Sequence, residues 1–125
     1  MSALVISIST IPPRFGEIGA TLQSLLAQTA KVDAVTVWIP KRYRRFGDWD
    51  GTLPEVPHGV EIRRCEEDLG PATKVLAAAK AYRGQDVDIL FGDDDRDYPA
   101  RWAERFLRNK AKRPGAAIAN LGLQA

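Results

Sequence analysis

Residues 86–99 read Asp-Val-Asp-Ile-Leu-Phe-Gly-Asp-Asp-Asp-Arg-Asp-Tyr-Pro. The apolar run 87–91 predicts a buried strand, and Gly92 predicts the turn that ends it. Three consecutive carboxylates then follow, Asp93, Asp94 and Asp95, here called the acidic tip. Like charges this close repel one another unless a positive group neutralises them. Because Mg²⁺ and Mn²⁺ prefer oxygen ligands, the stretch predicts a metal-nucleotide site at the end of a strand.

Two carboxylates of the acidic tip are the predicted metal ligands. Asp93 and Asp95 are separated by one residue, a spacing that lets both side chains converge on a single cation. Asp97 is interpreted instead as the cap of a helix that is predicted to start at Pro99. The alternative for the whole cluster is a solvated acidic turn, and similar patterns occur in phosphatases and calcium loops.

The composition is that of an ordinary globular protein. The chain has 125 residues, 45% of them hydrophobic and 27% charged, which predicts a single domain over 1–125. A net charge of +2 is too small to indicate nucleic-acid binding. The single cysteine, Cys65, excludes an internal disulfide framework and favours a reducing, cytoplasmic compartment. No integral membrane segment is expected, because no apolar run approaches the ~20 residues that cross a bilayer.

Short β-branched runs alternate with helical periods along the chain. Strands are predicted at 4–9, 35–39, 60–63, 87–91 and 116–119. Helices are predicted over 15–26, from Gly70 onward and from Pro99 onward, and 41–58 is predicted to be a long loop. The second helix is expected to bury Ala72, Val75, Leu76, Ala79 and Tyr82. This alternation predicts an α/β, Rossmann-like fold with a mostly parallel sheet and helices on both faces.

The predicted topology brings distant segments together. In open parallel sheets, ligands bind beyond the carboxyl ends of the strands, near the point where the strand order reverses. Thr10, Asp68 and the acidic tip all follow predicted strands. We therefore expect them to converge on one edge of the sheet.

The start of the second helix is the next candidate for ligand binding. Residues 68–74 read Asp-Leu-Gly-Pro-Ala-Thr-Lys, and the unpaired N–H groups of a helix N-terminus favour anions. Lys74 adds a full positive charge suited to phosphate. The alternative is that Lys74 is an ordinary surface lysine.

The turn after the first strand is the third candidate. It contains Thr10, Ile11, Pro12 and Arg14, and its proline pair predicts a rigid backbone that is able to face a base. The planar guanidinium of Arg14 is suited to a diphosphate. A solvated Arg14 at a helix start is the alternative.

On these residues the chain resembles the nucleotide-binding, N-terminal half of GT-A fold glycosyltransferases. It is similar to bacterial sugar-nucleotide transferases that carry a Gly-Pro-Ala-Thr-Lys helix start and an Asp-Asp-Asp…Tyr-Pro motif. The resemblance implies metal-dependent transfer of a sugar from a UDP-sugar donor to an acceptor that the sequence does not identify. It also implies that Asp95 binds Mn²⁺ or Mg²⁺, and that Asp93 contacts the ribose or a metal-bound water.

The same resemblance assigns the other candidate residues. The turn from Thr10 to Arg14 would hold the uracil and ribose, and Asp68 and Lys74 would form a second element on the nucleotide side. The family's D-x-D element falls on the acidic tip, so Asp94 is also expected to bind nucleotide. The chain departs from the family at Arg96 and Asp97, where apolar residues are expected.

GT-A enzymes are about twice as long as this chain, so we expect a donor-binding domain without the acceptor half or the catalytic base. Two other functions remain open on the sequence. The first is a non-catalytic module that binds a nucleotide or nucleotide-sugar and regulates a partner. The second is a metal-dependent nucleotidyltransferase or phosphatase. The chain lacks both the D-x-D-x-[TV] strand end of aspartate phosphatases and a Gly-rich basic loop after its first strand.

Overall fold

The computed structural model describes residues 3–112, with side chains as far as Asn109. Strands and α-helices alternate along this range, and short 3-10 helices at Pro12–Glu17 and Gly70–Ala72 precede the first two α-helices. No helix among the described residues is long and apolar enough to cross a bilayer. The elements are β1 (Ala3–Ser9), α1 (Gly19–Leu26), β2 (Ala34–Pro40), β3 (Val60–Cys65), α2 (Thr73–Ala81), β4 (Val87–Phe91) and α3 (Trp102–Lys112).

The four strands form one sheet in the order β3-β2-β1-β4, and every neighbouring pair is parallel. In the centre of the sheet Ser7 lies opposite Thr36 on one side and Phe91 on the other. The predicted α/β fold with a parallel sheet is therefore confirmed. The fifth strand predicted at 116–119 falls outside the described residues.

Helices cover both faces of this sheet. Ser7 Oγ donates a hydrogen bond to the carbonyl oxygen of Lys74 at 2.8 Å, so α2 packs on the face to which Ser7 points. Thr36 shares that face as the partner of Ser7, and Val35 points to the opposite one because side chains alternate along a strand. Val35 and Leu25 line the same small cavity, which places α1 on the second face.

The strand order reverses between β1 and β4. The chain moves from β1 outward to β2 and β3, then crosses the sheet through α2 to reach β4. Right-handed crossovers that run in opposite directions place their helices on opposite faces, as observed. The crevice between the carboxyl ends of β1 and β4 is therefore the expected ligand site of this fold.

The continuous helix predicted over 15–26 is wrong. The segment is a 3-10 helix at Pro12–Glu17 followed by the separate, eight-residue α1. Gly16 and Gly19 lie inside the predicted span and weaken helix propagation, while Pro12 and Pro13 occupy the first two positions of the 3-10 helix, where no N–H group is needed. Local backbone chemistry thus outweighed the apolar periodicity.

The face that α2 buries was also predicted wrongly. Leu76 is 52% exposed and Ala72 and Ala79 are exposed, whereas Thr73 and Lys74 are buried. Ala78 completes the inward face, while Val75 and Tyr82 are half-buried. Polar groups face inward here because hydrogen bonds satisfy them: Thr73 Oγ1 accepts from the backbone N–H of Leu69, and Lys74 Nζ donates to the carbonyl of Gly92.

The helix predicted to start at Pro99 begins at Trp102 instead. A turn joins the two residues, in which the N–H of Trp102 donates to the carbonyl of Pro99 at 3.0 Å. Asp97 lies five residues before α3, so its interpretation as the helix cap is wrong. Phe106 of α3 is buried.

The long loop predicted at 41–58 is confirmed, since these residues contain no helix or strand. Its aromatic side chains pack edge-to-face against one another and against Phe15, with ring centroids 5.0 to 6.4 Å apart. Tyr43 lies at the centre of this cluster and is only 5% exposed. Such pairs add about 0.5–1.5 kcal/mol each beyond area burial, so the loop is fastened to the carboxyl edge of the sheet. The cluster contains Phe15, Tyr43, Phe46 and Trp49.

Replacing Gly92 by alanine is expected to destabilise the domain by about 1–3 kcal/mol through overpacking. A Cβ atom at this position would lie 2.9 Å from Tyr98 Oη and 3.4 Å from Ile8 Cγ2. Tyr98 has little freedom to move, because its hydroxyl also accepts a hydrogen bond from the Asp93 N–H. Urea unfolding measures the change. Gly16→Ala is the matched control, since its Cβ would meet nothing within 4 Å, and equal losses in the two variants would contradict the packing argument.

Candidate functional site

A cleft of about 330 Å³ opens at the carboxyl ends of β1 and β4, where the strand order reverses. We call it the switch-point cleft. Four segments meet there: the turn after β1, the loop after β2, the start of α2 and the acidic tip after β4. Its lining contains every predicted site residue except Pro12 and Asp68. The lining residues are Ser9, Thr10, Ile11, Arg14, Pro40, Tyr43, Arg45, Gly70, Pro71, Thr73, Lys74, Asp93, Asp94 and Asp95.

Lys74 reaches the acidic tip from the first turn of α2. Its Nζ donates to Asp93 Oδ1 at 2.9 Å and to the carbonyl oxygen of Gly92 at 3.0 Å. Lys74 is only 9% exposed, whereas the side chain of Asp93 is 45% exposed. The alternative of an ordinary surface lysine is therefore wrong. The arrangement presents a buried cation beside a carboxylate that water or a ligand is still able to reach.

Asp94 ties the acidic tip to the turn after β1 and to α1. Thr10 Oγ1 donates to Asp94 Oδ2 at 2.7 Å. The backbone carbonyl of Asp94 accepts from Arg14 Nη2 and from Thr21 Oγ1, both at 3.1 Å. Asp94 therefore fixes the position of the acidic tip relative to β1 and α1 as well as lining the cleft.

Arg14 has hydrogen-bonding capacity left over. Its Nε atom is buried without a hydrogen-bond partner among the described residues, and it lies 3.8 Å from Asp94 Oδ2. Its Nη1 makes an ion pair of 3.5 Å with the exposed Glu17. A guanidinium that lines a cleft is well suited to a phosphate or carboxylate oxygen, and the Arg14 side chain is 29% exposed.

Tyr98 supports the backbone of the acidic tip through a hydrogen bond. The N–H of Asp93 donates to Tyr98 Oη at 2.6 Å, and the N–H of Tyr98 donates to Ser24 Oγ of α1 at 3.0 Å. Burial raises the pKa of the Tyr98 phenol, so the hydroxyl stays neutral. The sequence contained Tyr98 in a recognised motif, but no sequence signal indicated that its hydroxyl would support the tip.

Sequence reasoning missed Tyr43 and Arg45, which also line the cleft. Tyr43 Oη donates to the carbonyl of Thr10 at 2.8 Å, which joins the loop after β2 to the turn after β1. Burial, reinforced by the negative charge of Asp68, raises the pKa of Tyr43 well above its ordinary value. A tyrosine within a basic stretch of a long loop was the only available signal, and it indicates neither burial nor a partner.

Replacing Tyr43 by phenylalanine is expected to cost about 1–3 kcal/mol, because the buried carbonyl of Thr10 loses its donor. The raised pKa adds a pH effect: above about pH 10 the unfolded phenol ionises while the folded one stays protonated. The free energy of unfolding should therefore fall by up to about 1.4 kcal/mol per pH unit in the parent, and less steeply in the variant. Chemical unfolding between pH 7 and 11 measures both.

Tyr82→Phe is the control for this experiment, since the Tyr82 hydroxyl makes no hydrogen bond within the described part of the chain. It should leave stability at pH 7 within about 0.5 kcal/mol of the parent. An alkaline slope that Tyr43→Phe leaves unchanged would show that the Tyr43 phenol does not contribute to it.

Asp68 and Pro12 lie outside the lining of the switch-point cleft. Asp68 uses both carboxylate oxygens on the backbone, accepting from the N–H of Arg44 and from the N–H of Gly70, each at 2.9 Å. It thereby holds the loop after β2 against the start of α2. Pro12 lines a separate groove beside Phe15. Nucleotide contact by these two residues stays a prediction.

The acidic tip offers oxygen ligands of the kind that a divalent cation prefers. Among residues 3–112, no three carboxylate, imidazole or thiol groups converge as a preformed metal site. Asp93 Oδ1 accepts from Lys74, and Asp95 lines the cleft with an exposed side chain. Mg²⁺ is commonly held by one or two carboxylates, with water and substrate phosphate oxygens completing its shell. The residues therefore fit a cation that binds together with a phosphate ligand.

No protein-family model matches the chain, and no curated protein or solved structure matches it. A functional proposal therefore depends on the geometry and chemistry of the switch-point cleft itself.

Proposed function

We propose that this domain binds a UDP-sugar in the switch-point cleft together with Mn²⁺ or Mg²⁺, and that it serves as the donor-binding domain of a GT-A-type glycosyltransferase. The observation that carries the proposal is convergence. The turn after β1, the start of α2 and the acidic tip are far apart in sequence, yet they line one cleft at the reversal of strand order. This is the position where open parallel sheets bind their ligands.

The chemistry of the lining supports a nucleoside diphosphate. Ile11, Pro40 and Tyr43 contribute apolar and aromatic groups to the lining, and Ile11 is the one of the three whose side chain is not buried. Lys74 and Arg14 supply positive charge for the phosphates at the side that faces the acidic tip. A nucleoside diphosphate, which combines a flat base with two phosphates, matches this combination of apolar and charged groups.

Sugar transfer breaks the bond between the sugar and the diphosphate, and negative charge develops on the departing phosphate oxygens. Lys74 and Arg14 are fixed by their hydrogen bonds before any ligand arrives, so they stabilise that charge with little reorganisation. Lewis-acid stabilisation of the same oxygens is the chemistry that a cation held by Asp93 and Asp95 supplies. The acceptor is not identified by these residues.

A non-catalytic nucleotide-binding module is the second candidate. One observation favours it: Asp93 and Asp94 both accept hydrogen bonds from side chains of the protein, so neither is a free general base. Under this alternative the domain binds the same ligand and regulates a partner. The cytoplasm is the proposed compartment for either function, since Cys65 is a free thiol.

Calorimetric titration with UDP, GDP and ADP, each with and without Mn²⁺, tests the proposed ligand. We expect UDP with Mn²⁺ to bind most tightly, and failure of all three nucleotides to bind would contradict the proposal. A sensitive assay for UDP-sugar hydrolysis or sugar transfer then tests the second candidate. Turnover excludes a non-catalytic module, whereas binding without turnover fits both the module and a donor-binding domain that lacks the catalytic base.

A further inference from the structure

The acidic tip carries its own counter-ions. Lys74 Nζ lies 2.9 Å from Asp93 Oδ1, and Arg14 Nε lies 3.8 Å from Asp94 Oδ2. The two pairs differ in burial, because the Lys74 side chain is 11% exposed while that of Arg14 is 29% exposed. Lys74 is therefore the cation that has the least access to water.

Because Lys74 is buried, it is able to give up Asp93 only if another anion takes the place of that carboxylate. A charged amine that is this buried needs an anion, since removing one partner of a buried pair leaves an uncompensated charge. Its other acceptor, the carbonyl oxygen of Gly92 at 3.0 Å, carries no full charge. A divalent cation that draws Asp93 away therefore leaves Lys74 unpaired and also places a second positive charge nearby.

A diphosphate removes both costs of drawing Asp93 away from Lys74, which are the unpaired amine and the added positive charge. Its oxygens offer Lys74 a replacement anion on the cleft side, so Asp93 becomes available to a cation without leaving the amine unpaired. We propose that the Lys74–Asp93 pair is an exchangeable internal counter-ion that couples the binding of a divalent cation to the binding of a nucleoside diphosphate. This inference depends on the proposed function, and it makes Lys74 a positioning residue for the acidic tip as well as a phosphate contact.

Titrations of the full chain with Mn²⁺ and with UDP test the coupling. Mn²⁺ binding is followed by calorimetry and by the paramagnetic resonance signal of free Mn²⁺, in the absence and presence of saturating UDP. We expect UDP to tighten Mn²⁺ binding by about tenfold or more, and Mn²⁺ to tighten UDP binding by the same factor, as linkage requires. Independent binding, with a factor of one, overturns the inference and leaves the proposed function standing. Absence of UDP binding under either condition overturns both.

Lys74→Gln separates this role from simple phosphate binding. With Asp93 released, Mn²⁺ alone should bind about three- to tenfold more tightly than to the parent, and the coupling factor should fall towards one. A lysine that contacts only phosphate would leave the affinity for Mn²⁺ alone unchanged, which overturns the inference. Lys80→Gln is the matched control, since Lys80 is an exposed lysine of the same helix, and it should keep the parent's coupling.

Asp93→Asn provides a second route if the Lys74 variant does not fold. Asparagine keeps the shape of a side chain that is 45% exposed, but it leaves the buried Lys74 amine without its anion, so unfolding curves must first show that this variant is folded. Asp93→Asn removes the negative charge for which Lys74 and the divalent cation compete. The coupling factor should therefore fall towards one. Retention of tenfold coupling in Asp93→Asn overturns the inference.

Discussion

Replacing Asp95 by asparagine is expected to lower the affinity for UDP in the presence of Mn²⁺ by about 100-fold, which corresponds to about 2.7 kcal/mol of binding free energy. Asp95 lines the switch-point cleft, and within the described part of the chain no hydrogen bond or ion pair engages its carboxylate. It is therefore the carboxylate of the acidic tip most available to a cation. The amide keeps the shape of the side chain but removes the negative charge that a hard cation requires.

Calorimetry with and without Mn²⁺ isolates this effect. Without the metal, UDP affinity should stay within about twofold of the parent, and thermal unfolding should be unchanged because exposed substitutions usually fall within about 0.5 kcal/mol. Asp97→Asn is the control, since it removes another exposed aspartate, one that does not line the cleft. If Asp95→Asn binds UDP with Mn²⁺ as tightly as the parent does, Asp95 is not a metal ligand.

The sheet was predictable because its strands carry a strong local signal. The apolar run 87–91, for example, predicts β4 with the bounds that the structure has. Alternation of such runs with helical segments was enough to indicate parallel crossovers, and hence the edge of the sheet where the site lies. The convergence of Thr10 with the acidic tip therefore followed from topology alone, whereas Asp68, which was expected at the same edge, lies outside the lining of the cleft.

The extent of α1 and the buried face of α2 were predicted less well, because apolar periodicity did not decide either of them. Before α1, Gly16 and Gly19 weaken helix propagation, and the predicted helix is replaced by a 3-10 helix followed by the shorter α1. In α2, the inward face includes Lys74, which an apolar criterion would place outside. Its acceptors on Gly92 and Asp93 lie 18 and 19 residues further along the chain. A burial that depends on such distant partners leaves no trace in the local sequence.

The pairing of groups in the switch-point cleft also depends on residues that are distant in sequence. Residue types at strand ends predicted which groups would be present, but they did not predict which of these groups would pair with each other. The Thr10 carbonyl and the Asp93 N–H are each held by a tyrosine, Tyr43 and Tyr98 respectively. These supporting contacts arise from tertiary packing, and they set the position of the cleft-lining residues that the sequence did identify.

Replacing Lys74 by alanine is expected to weaken UDP binding by about 30-fold while changing uridine affinity by less than about twofold, since a buried cation aimed into the cleft acts on phosphate. The loss corresponds to about 2 kcal/mol. Stability should also fall by about 1–3 kcal/mol, because the Gly92 carbonyl loses its donor. The half-exposed carboxylate of Asp93 remains hydrated, so the larger penalty of a fully buried orphan charge does not apply.

Parallel titrations of parent and variant with UDP and with uridine measure the phosphate-specific part, at a temperature where unfolding curves show both proteins to be folded. Lys80→Ala removes an exposed lysine from the same helix and should leave both affinities unchanged. Equal losses for UDP and uridine would mean that Lys74 supports the shape of the cleft without contacting the phosphates. A selective loss for UDP places the diphosphate against α2, on the side of the cleft where Lys74 and Asp93 meet.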